Sequence, residues 1–231
     1  MLFLLPAYLS ENTSITHFAP VIQDYIMQTD YFFVENEKTA RRFFKRLWKE
    51  MVIDNYEWHA IHKAEEAVKT KFIQLLKDGK NIGIVSEAGC PGIADPGQIL
   101  VEAAQQMNAT VHPLVGPNSI LLALMASGMN GQCFQFVGYL PIESSARKKT
   151  IKELEEYSYK KNCTQIFIET PYRNNQLIND VLNMCKAETK FCIAVDITAS
   201  TENIKTKTIK EWKQEVPELN KRLAIFLLLA N

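Results

Sequence analysis

The first half of the chain alternates short apolar runs with longer stretches in which apolar and charged positions recur at helical spacing. The apolar runs predict β-strands at 2–7, 31–35, 56–60, 82–85 and 109–113, and the periodic stretches predict helices near 20–28, 37–51, 63–78 and 97–107. Strands that alternate with helices form β-α-β units, because a parallel neighbour needs a long crossover connection. This half therefore predicts a mostly parallel sheet with flanking helices.

The second half has a different rhythm, in which strands also follow one another without a long helix between them. Strands are predicted at 133–139, 165–169, 190–196, 204–211 and 223–229, with helices at 144–159 and 171–185. Consecutive strands favour antiparallel pairing, so this half predicts a mixed sheet. The predicted fold class is α/β, with an N-terminal α/β domain over 1–115 and a C-terminal α/β domain over 116–231.

A short helix is predicted at 120–126, where the rhythm changes. The sequence Val-Gly-Pro-Asn-Ser at 115–119 opens this helix, and Gly128 stands at the position of a C-cap glycine. The helix is apolar on nearly all sides, which predicts that it is buried.

Composition limits the classes of protein to which the chain can belong and predicts its compartment. Its 231 residues suffice for two domains, and Lys plus Arg equals Asp plus Glu at 26, so the chain is not a bulk polyanion binder. No apolar segment is long enough to span a bilayer, and the first residues lack the features of a signal peptide. Five cysteines without a Cys-x-x-Cys pair predict a reduced, cytoplasmic protein.

The loop at 86–97 carries the most specific chemistry in the sequence. It reads Ser-Glu-Ala-Gly-Cys-Pro-Gly-Ile-Ala-Asp-Pro-Gly, and its glycines would let a ligand approach the backbone. Asp95 with Pro96 is typical of a helix N-cap and first turn. The segment 81–146 contains no Lys or Arg, which argues against a phosphate cradle. Glu87 and Asp95 instead suit a ligand with hydroxyl, amino or cationic groups, such as an adenosyl cofactor with a sulfonium centre.

Four motifs in order give the chain a resemblance to a known family. They are Ser-Glu-Ala-Gly-Cys-Pro at 86–91 with Asp-Pro-Gly at 95–97, Val-Gly-Pro-Asn-Ser at 115–119, Gly-Tyr-Leu-Pro at 138–141 and Ile-Glu-Thr-Pro-Tyr-Arg at 168–173. The chain resembles the tetrapyrrole methylase superfamily of S-adenosylmethionine-dependent methyltransferases. Within it, the sequence is most similar to the branch that methylates a cytidine ribose 2′-oxygen of small-subunit ribosomal RNA.

The resemblance implies a homodimer with S-adenosyl-L-methionine in a cleft between the two domains. The positions that match the family's cofactor site are Pro6, Ser86, Glu87, Ala88, Gly89, Cys90, Ser119, Ile120, Glu169 and Thr198. The candidates for the substrate side are Glu35, Lys38 and Arg173, each of which could equally be a surface charge or part of an ion pair. No base can be assigned from the sequence.

The chain departs from the family pattern at three places. The first loop, at 6–12, lacks the family's glycine; the motif after the second strand reads Glu-Asn-Glu-Lys at 35–38, without the family's aspartate and arginine; and Glu87 replaces an aspartate. Two further interpretations therefore stay open beside ribosomal RNA methylation. The acceptor could be a tetrapyrrole or another small molecule, or the chain could bind cofactor or RNA without catalysis.

Two other charged patterns have weaker specificity. The spacing of Glu57-x-His59-x-x-His62-x-x-Glu65 is not one of the strong zinc patterns, and its two histidines straddle a predicted strand-to-helix transition, so no metal site is predicted. The basic clusters at 38–49 and 147–152 could contact the phosphates of ribosomal RNA or could be solvated helix faces.

Overall fold

The apolar runs of the first half form a parallel sheet, as the sequence predicts. The structure is a computed structural model that describes residues 1–10, 13, 21–61 and 65–230, and it divides into two units, Met1–Asn118 and Ser119–Asn231. The first unit contains the strands β1 (Leu2–Leu5), β2 (Tyr31–Val34), β3 (Glu57–Ala60), β4 (Ile82–Val85) and β5 (Val111–Pro113). Their order is β3-β2-β4-β1-β5, and every pairing is parallel.

Helices connect these strands and cover both faces of the sheet. They are α1 (Ile22–Met27), α2 (Glu37–Leu47), α3 (Glu65–Lys77) and α4 (Gln98–Gln106). Because successive strand side chains point to opposite faces, Phe32 lies in one apolar cluster and Phe33 in another, and both side chains are fully buried. The parallel strands can be apolar at consecutive positions because helices bury both faces.

The second unit contains the mixed sheet that the sequence predicts. Its strands are β6 (Phe134–Tyr139), β7 (Thr164–Ile168), β8 (Lys190–Val195), β9 (Asn203–Thr208) and β10 (Ala224–Leu229), in the order β6-β7-β10-β8-β9. Only β6 and β7 pair in parallel, and the other three pairings are antiparallel. The helices are α5 (Ser119–Ser127), α6 (Ser144–Lys161), α7 (Asn174–Met184) and α8 (Ile209–Trp212). All six residues of the central strand β10 are buried.

Two predicted elements end three or more residues earlier than expected. The strand predicted at 204–211 stops at Thr208, because the Thr208 side chain accepts a hydrogen bond from the Glu211 N–H and Glu211 reciprocates, which starts helix α8. The helix predicted to 51 stops at Leu47, where Trp48 takes an extended backbone conformation. Residues 14–20 and 62–64, which include the start of two other predicted helices, lie outside the described residues.

The predictions for Asp95 and for helix α5 were wrong in part. Asp95 is not the N-cap of α4; that position is held by Gly97, and the Asp95 carboxylate accepts hydrogen bonds from the Gly92 and Gly97 N–H groups. Helix α5 ends before Gly128, whose φ is +69°, as predicted. However, α5 is not fully buried, since Leu121 is 47% and Met125 78% exposed.

Candidate functional site

The carboxyl ends of β1, β2 and β4 lie at one edge of the first unit's sheet, and the loop at 86–97 leaves from this edge. Leu5 and Val34 both pair with Val85, so the residues that follow these three strands are neighbours. The loop folds back towards β1, because the Ala7 N–H donates to the Gly89 carbonyl at 2.8 Å. Position 89 requires glycine, since φ of Gly89 is +76°, in the left-handed region that other residues rarely adopt.

Ser86 stabilises the loop from within. Its hydroxyl donates to the carbonyl oxygens of Ala88 and Gly89 at 3.3 and 3.1 Å, and the side chain is buried. The hydroxyl therefore stabilises the turn at 86–89. The backbone at 87–90 follows β4 closely, at the edge of the sheet where the strands have their carboxyl ends.

The Gly-Pro-Asn motif at 116–118 packs directly against the end of β1. A Cβ atom on Gly116 would lie 2.1 Å from the Pro6 Cβ, so only glycine fits this close approach. The Cys90 thiol lies 3.5 Å from the Pro117 carbonyl oxygen and also contacts Asn118. Burial raises the pKa of the Cys90 thiol, so it is held as a neutral thiol. Three segments that are distant in sequence thus meet at Pro6, Cys90 and 116–118.

Glu87 connects this loop to the neighbouring strand end. The Glu87 carboxylate is exposed and accepts a hydrogen bond from the Asn36 side chain at 3.4 Å. Asn36 is also the N-cap of α2, where its side-chain oxygen accepts from the Thr39 N–H. Half-buried Glu35 and exposed Lys38 flank this cap. The structure therefore brings the two predicted substrate-side residues of the first unit to the same sheet edge as Glu87.

Asp95, by contrast, serves the loop itself. Its two hydrogen bonds to the Gly92 and Gly97 N–H groups measure 2.9 and 2.7 Å. Burial raises the pKa of Asp95, and these two donors oppose that shift. Asp95 therefore maintains the backbone at 92–97, and the sequence-based idea that it faces a ligand has no support from its contacts.

In the second unit, Glu169 follows strand β7 and is paired with Arg173. The Glu169 Oε1 atom accepts from the Thr170 N–H at 2.6 Å and from Arg173 Nε and a terminal guanidinium nitrogen at 2.9 and 2.6 Å. This hydrogen bonding raises the pKa of Arg173. Within the part of the chain that the structure describes, the buried Oε2 atom of Glu169 has no hydrogen-bond partner. Such a carboxylate oxygen is suited to accept a hydrogen bond from a ligand.

Thr198 lies in a strained loop at the same edge of the second sheet. Strand β10 pairs antiparallel with both β7 and β8, so Glu169 after β7 and Asp196 after β8 flank the start of β10. Thr198 and Asp196 have φ values of +72° and +50°. For a β-branched residue this conformation costs on the order of 1–3 kcal/mol and persists only where the surroundings impose it.

An ion pair and a hydrogen bond to a carboxylate hold the loop in this conformation. The Arg222 guanidinium binds the Asp196 carboxylate at 2.7 Å, and the Thr198 N–H donates to Glu202 at 2.7 Å. The sequence did not single out Arg222, Asp196 or Glu202, because they are far apart or lie in no motif. Ser119 and Ile120 begin helix α5 and are half-buried.

The basic clusters are largely occupied by contacts within the protein. Arg41 pairs with Glu37 at 2.6 Å and lies 5.3 Å from the Trp58 ring, and Arg46 donates to the Thr13 carbonyl at 2.8 Å. Arg147 is fully buried. These three arginines therefore have structural roles, and the remaining cations of the two clusters are the lysines and the exposed Arg42.

Among residues 1–10, 13, 21–61 and 65–230, no group of three or more His, Cys, Asp or Glu side chains could hold a metal ion. Of the histidine and glutamate pattern at 57–65, His59 lies 3.7 Å from the Glu57 carboxylate and stacks on Phe33. Burial is the main cause that lowers the pKa of His59. His62 and the side chain of Glu65 lie outside the described residues. No helix in the described part of the chain is both long and apolar enough to cross a membrane.

Comparison with solved structures identifies the class of fold. The structure matches the methyltransferase CobJ with a TM-score of 0.64 at 14% sequence identity, over 99% of this chain and 93% of that one. It also matches a uroporphyrin-III C-methyltransferase from Thermus thermophilus, complexed with S-adenosyl homocysteine, with a TM-score of 0.53 at 12% identity, over 99% and 96% of the two chains. The chain therefore has the fold of the tetrapyrrole methyltransferases.

Comparison of sequences shows which group of named proteins the chain is similar to. No family model matches the chain. It is 35% identical to ribosomal RNA small subunit methyltransferase I of Vibrio cholerae over 153 residues, which cover 66% of this chain and 52% of the relative. It is 29% identical to the protein of that name from Bacillus subtilis over 93% of this chain and 70% of the relative. The chain spans about half the length of the first of these relatives. Among proteins of this fold, its sequence is similar to the ribosomal RNA small subunit methyltransferase I group.

Proposed function

We propose that the protein is an S-adenosylmethionine-dependent methyltransferase that methylates small-subunit ribosomal RNA at a ribose 2′-oxygen. The observation that carries this proposal is the sequence similarity to the relatives named ribosomal RNA small subunit methyltransferase I, which extends over 93% of the chain in one case. The contacts of the loop at 86–97 support the proposal, because they keep backbone groups at a strand edge in a loop that itself contains no Lys or Arg.

The residues fit an adenosyl cofactor. In the first unit we assign Pro6, Ser86, Glu87, Ala88, Gly89 and Cys90 to cofactor binding, and in the second unit Ser119, Ile120, Glu169 and Thr198. The unpartnered Glu169 Oε2 atom suits a hydroxyl or amino donor of the cofactor, and the exposed Glu87 carboxylate suits another donor or a positive charge. When bound, the sulfonium group supplies the methyl group that is transferred.

The protein's own part in the reaction is to bind and orient. Proximity and orientation can contribute roughly 7–11 kcal/mol to lowering a reaction barrier, so the protein can promote transfer by holding the cofactor and the acceptor in line. We place Glu35 and Lys38 on the acceptor side, since they lie beside Glu87 at the sheet edge. Arg173 is a positioning residue, because its guanidinium holds the Glu169 carboxylate in place.

A small-molecule acceptor is the second candidate. Solved structures of a methyltransferase called CobJ and of a uroporphyrin-III C-methyltransferase share the fold, and the name of the second refers to a tetrapyrrole acceptor. Their sequence identities of 14% and 12% argue for the fold alone, whereas 35% identity over 153 residues favours the RNA relatives. RNA is therefore our first choice of substrate.

We further propose that the protein acts as a homodimer in the cytoplasm. Leu121 and Met125 lie one helical turn apart on α5 and are 47% and 78% exposed, which suits the apolar surface of a second copy. All five cysteines are free thiols, which is the state that a reducing compartment maintains.

Calorimetric titration with S-adenosylmethionine and S-adenosylhomocysteine tests the cofactor. The Glu169→Gln variant removes the charge of the unpartnered oxygen at constant shape, and we expect weaker binding by about 1.5–3 kcal/mol. We expect Glu87→Ala to weaken binding by roughly 1–3 kcal/mol. Glu188→Gln, at an exposed position of the second unit, is the matched control and should bind like the wild type. Absence of heat with both cofactors would exclude both enzyme proposals.

Transfer of a labelled methyl group to small ribosomal subunits tests the acceptor. We expect label in the RNA of subunits from a strain that lacks the gene, recovered after digestion as a 2′-O-methylated nucleoside. Cofactor binding without label in RNA would instead favour the small-molecule acceptor or a protein without catalysis.

A further inference from the structure

Two cysteines lie side by side where β6 and β7 begin. Phe134 pairs with Thr164 in this parallel pair of strands, and the Thr164 N–H donates to the Cys133 carbonyl at 2.9 Å. The preceding residues, Cys133 and Cys163, are therefore neighbours across the two strands. Adjacent strands lie about 4.7–4.9 Å apart, with neighbouring side chains on the same face. This separation falls within the range of about 4.4–6.8 Å between Cα atoms that a disulfide bridges.

The two thiols are in contact but differ in access to solvent. The Cys163 thiol lies within hydrogen-bonding reach of the Cys133 sulfur. Cys133 is exposed, whereas Cys163 is only 3% exposed. Burial, together with the neighbouring Cys133 thiol, raises the pKa of Cys163. An oxidant in solution therefore meets Cys133 first, with a protonated thiol directly behind it.

Asn130 holds the backbone around the two cysteines. Its side chain donates to the Asn162 carbonyl at 2.6 Å and accepts from the Cys133 N–H at 3.3 Å. Its own carbonyl accepts from the Thr164 hydroxyl at 2.9 Å. These contacts hold the backbone of Cys133 and Cys163 at neighbouring positions. Rotation of the two side chains is then enough to bring the sulfur atoms within bonding distance.

The other three cysteines have different surroundings. Burial raises the pKa of Cys192 to about 11 and also raises the pKa values of Cys185 and Cys90. Cys185 contacts the Glu155 carboxylate, and Cys90 contacts backbone carbonyl oxygens. Cys133 is the exposed cysteine of the five, and its thiol has a second thiol as its neighbour.

We propose that Cys133 and Cys163 form a dithiol that a peroxide oxidises to a disulfide. In the first step the Cys133 thiolate attacks a peroxide oxygen, the O–O bond breaks, and the peroxide leaves as an alcohol or water after gaining a proton, with sulfenic acid left on Cys133. In the second step the Cys163 sulfur attacks the sulfenic sulfur, the S–O bond breaks, and the Cys163 proton leaves with the hydroxyl as water. The two thiols together lose two electrons and two protons, and the peroxide is reduced.

Mass spectrometry after treatment of the reduced protein with hydrogen peroxide tests this dithiol. Free thiols are then blocked with an alkylating reagent, and the protein is digested without reduction. We expect a peptide pair joined through Cys133 and Cys163, which separates again after reduction. The Cys90→Ser variant is the matched control and should form the same cross-link.

Two single variants separate the steps. In Cys163→Ser, Cys133 should accumulate as a sulfenic acid that a dimedone probe captures, because the resolving thiol is gone. In Cys133→Ser, Cys163 should stay reduced under the same exposure. Conversion of wild-type Cys133 to sulfinic acid or to an intermolecular disulfide, without the cross-link to Cys163, would overturn the proposal.

Discussion

The buried ion pair between Arg147 and Asp180 offers a sharp test of how the second unit is held together. Arg147 is fully buried on α6; its Nε donates to an Asp180 carboxylate oxygen at 2.7 Å, and a terminal nitrogen lies 2.6 Å from the same oxygen. The guanidinium also donates to the Ile142 carbonyl at 2.8 Å. The pair therefore joins α6 to α7 and to the loop that follows β6.

Removal of one partner leaves a buried charge without compensation. For Asp180→Asn we expect the free energy of unfolding to fall by about 3–5 kcal/mol, as is typical of broken buried pairs. With a urea dependence of about 2 kcal/mol per molar, the unfolding midpoint falls by roughly 1.5–2.5 M. The double variant Arg147→Met/Asp180→Leu should lose much less than the sum of the single losses, because it leaves no buried charge.

Urea unfolding followed by Trp212 fluorescence measures these changes, since Trp212 is buried in the second unit. Replacement of Trp48 and Trp58 by Phe in all variants leaves Trp212 as the only tryptophan. The exposed pair Lys149–Glu153, 3.8 Å apart, supplies the control, and Glu153→Gln should cost less than about 0.5 kcal/mol. Strictly additive losses in the double variant, or a cost below about 1 kcal/mol for Asp180→Asn, would refute this account of the pair.

Three further predictions concern packing, buried polar groups and pH. Gly116→Ala should destabilise the first unit by about 1–3 kcal/mol or more, because its Cβ would overlap Pro6, whereas Gly131→Ala meets no atom within 4 Å; thermal unfolding of both variants distinguishes them. Glu155→Gln should cost roughly 1–3 kcal/mol in urea unfolding, because the buried carboxylate accepts two hydrogen bonds; an unchanged midpoint would mean that these bonds contribute nothing net. At the start of α6, hydrogen bonds from the Ser145 hydroxyl and from the backbone N–H groups of Ser145 and Ala146 lower the pKa of Glu143 from 4.5 to about 2. Since the folded state favours the charged form, its stabilisation is present above pH 4.5 and is lost as the pH falls towards 2, so the stability difference between wild type and Glu143→Gln should disappear over that interval; a constant difference would contradict the assignment.

Local sequence patterns predicted most of the elements, because strands and helices of this fold bury faces at regular spacing. All ten strands were found, and the parallel and mixed sheets agree with prediction. Two of the errors fall where a polar side chain competes with the pattern. Thr208 ends β9 because its hydroxyl caps a new helix, and Asp95 turns inwards to the Gly92 N–H instead of capping α4. The spacing of apolar residues carries no information about such contacts, since they depend on the position of single polar atoms.

The candidate site was predictable where the residues lie in one motif and unpredictable where they do not. The motif at 86–91 pointed to a ligand site, and the structure brings Pro6 and 116–118 to it. Glu169 and Arg173 are also close in sequence, but the sequence left open whether Arg173 faces a substrate, is a surface charge or belongs to an ion pair, and the structure shows the ion pair. The contact between Asp196 and Arg222 spans 26 residues and depends on which strands are neighbours.

The sequence by itself therefore determined the two α/β halves, the kind of ligand that we propose for the loop at 86–97 and the resemblance that names a cofactor, since all three depend on residues close together along the chain. Only the tertiary structure decided which charges are buried as pairs, which carboxylate oxygen of Glu169 has no hydrogen-bond partner among the described residues, and which two of the five cysteines are neighbours. The physical reason is that burial and hydrogen bonding depend on strand order, and strand order brings together residues that no local pattern connects.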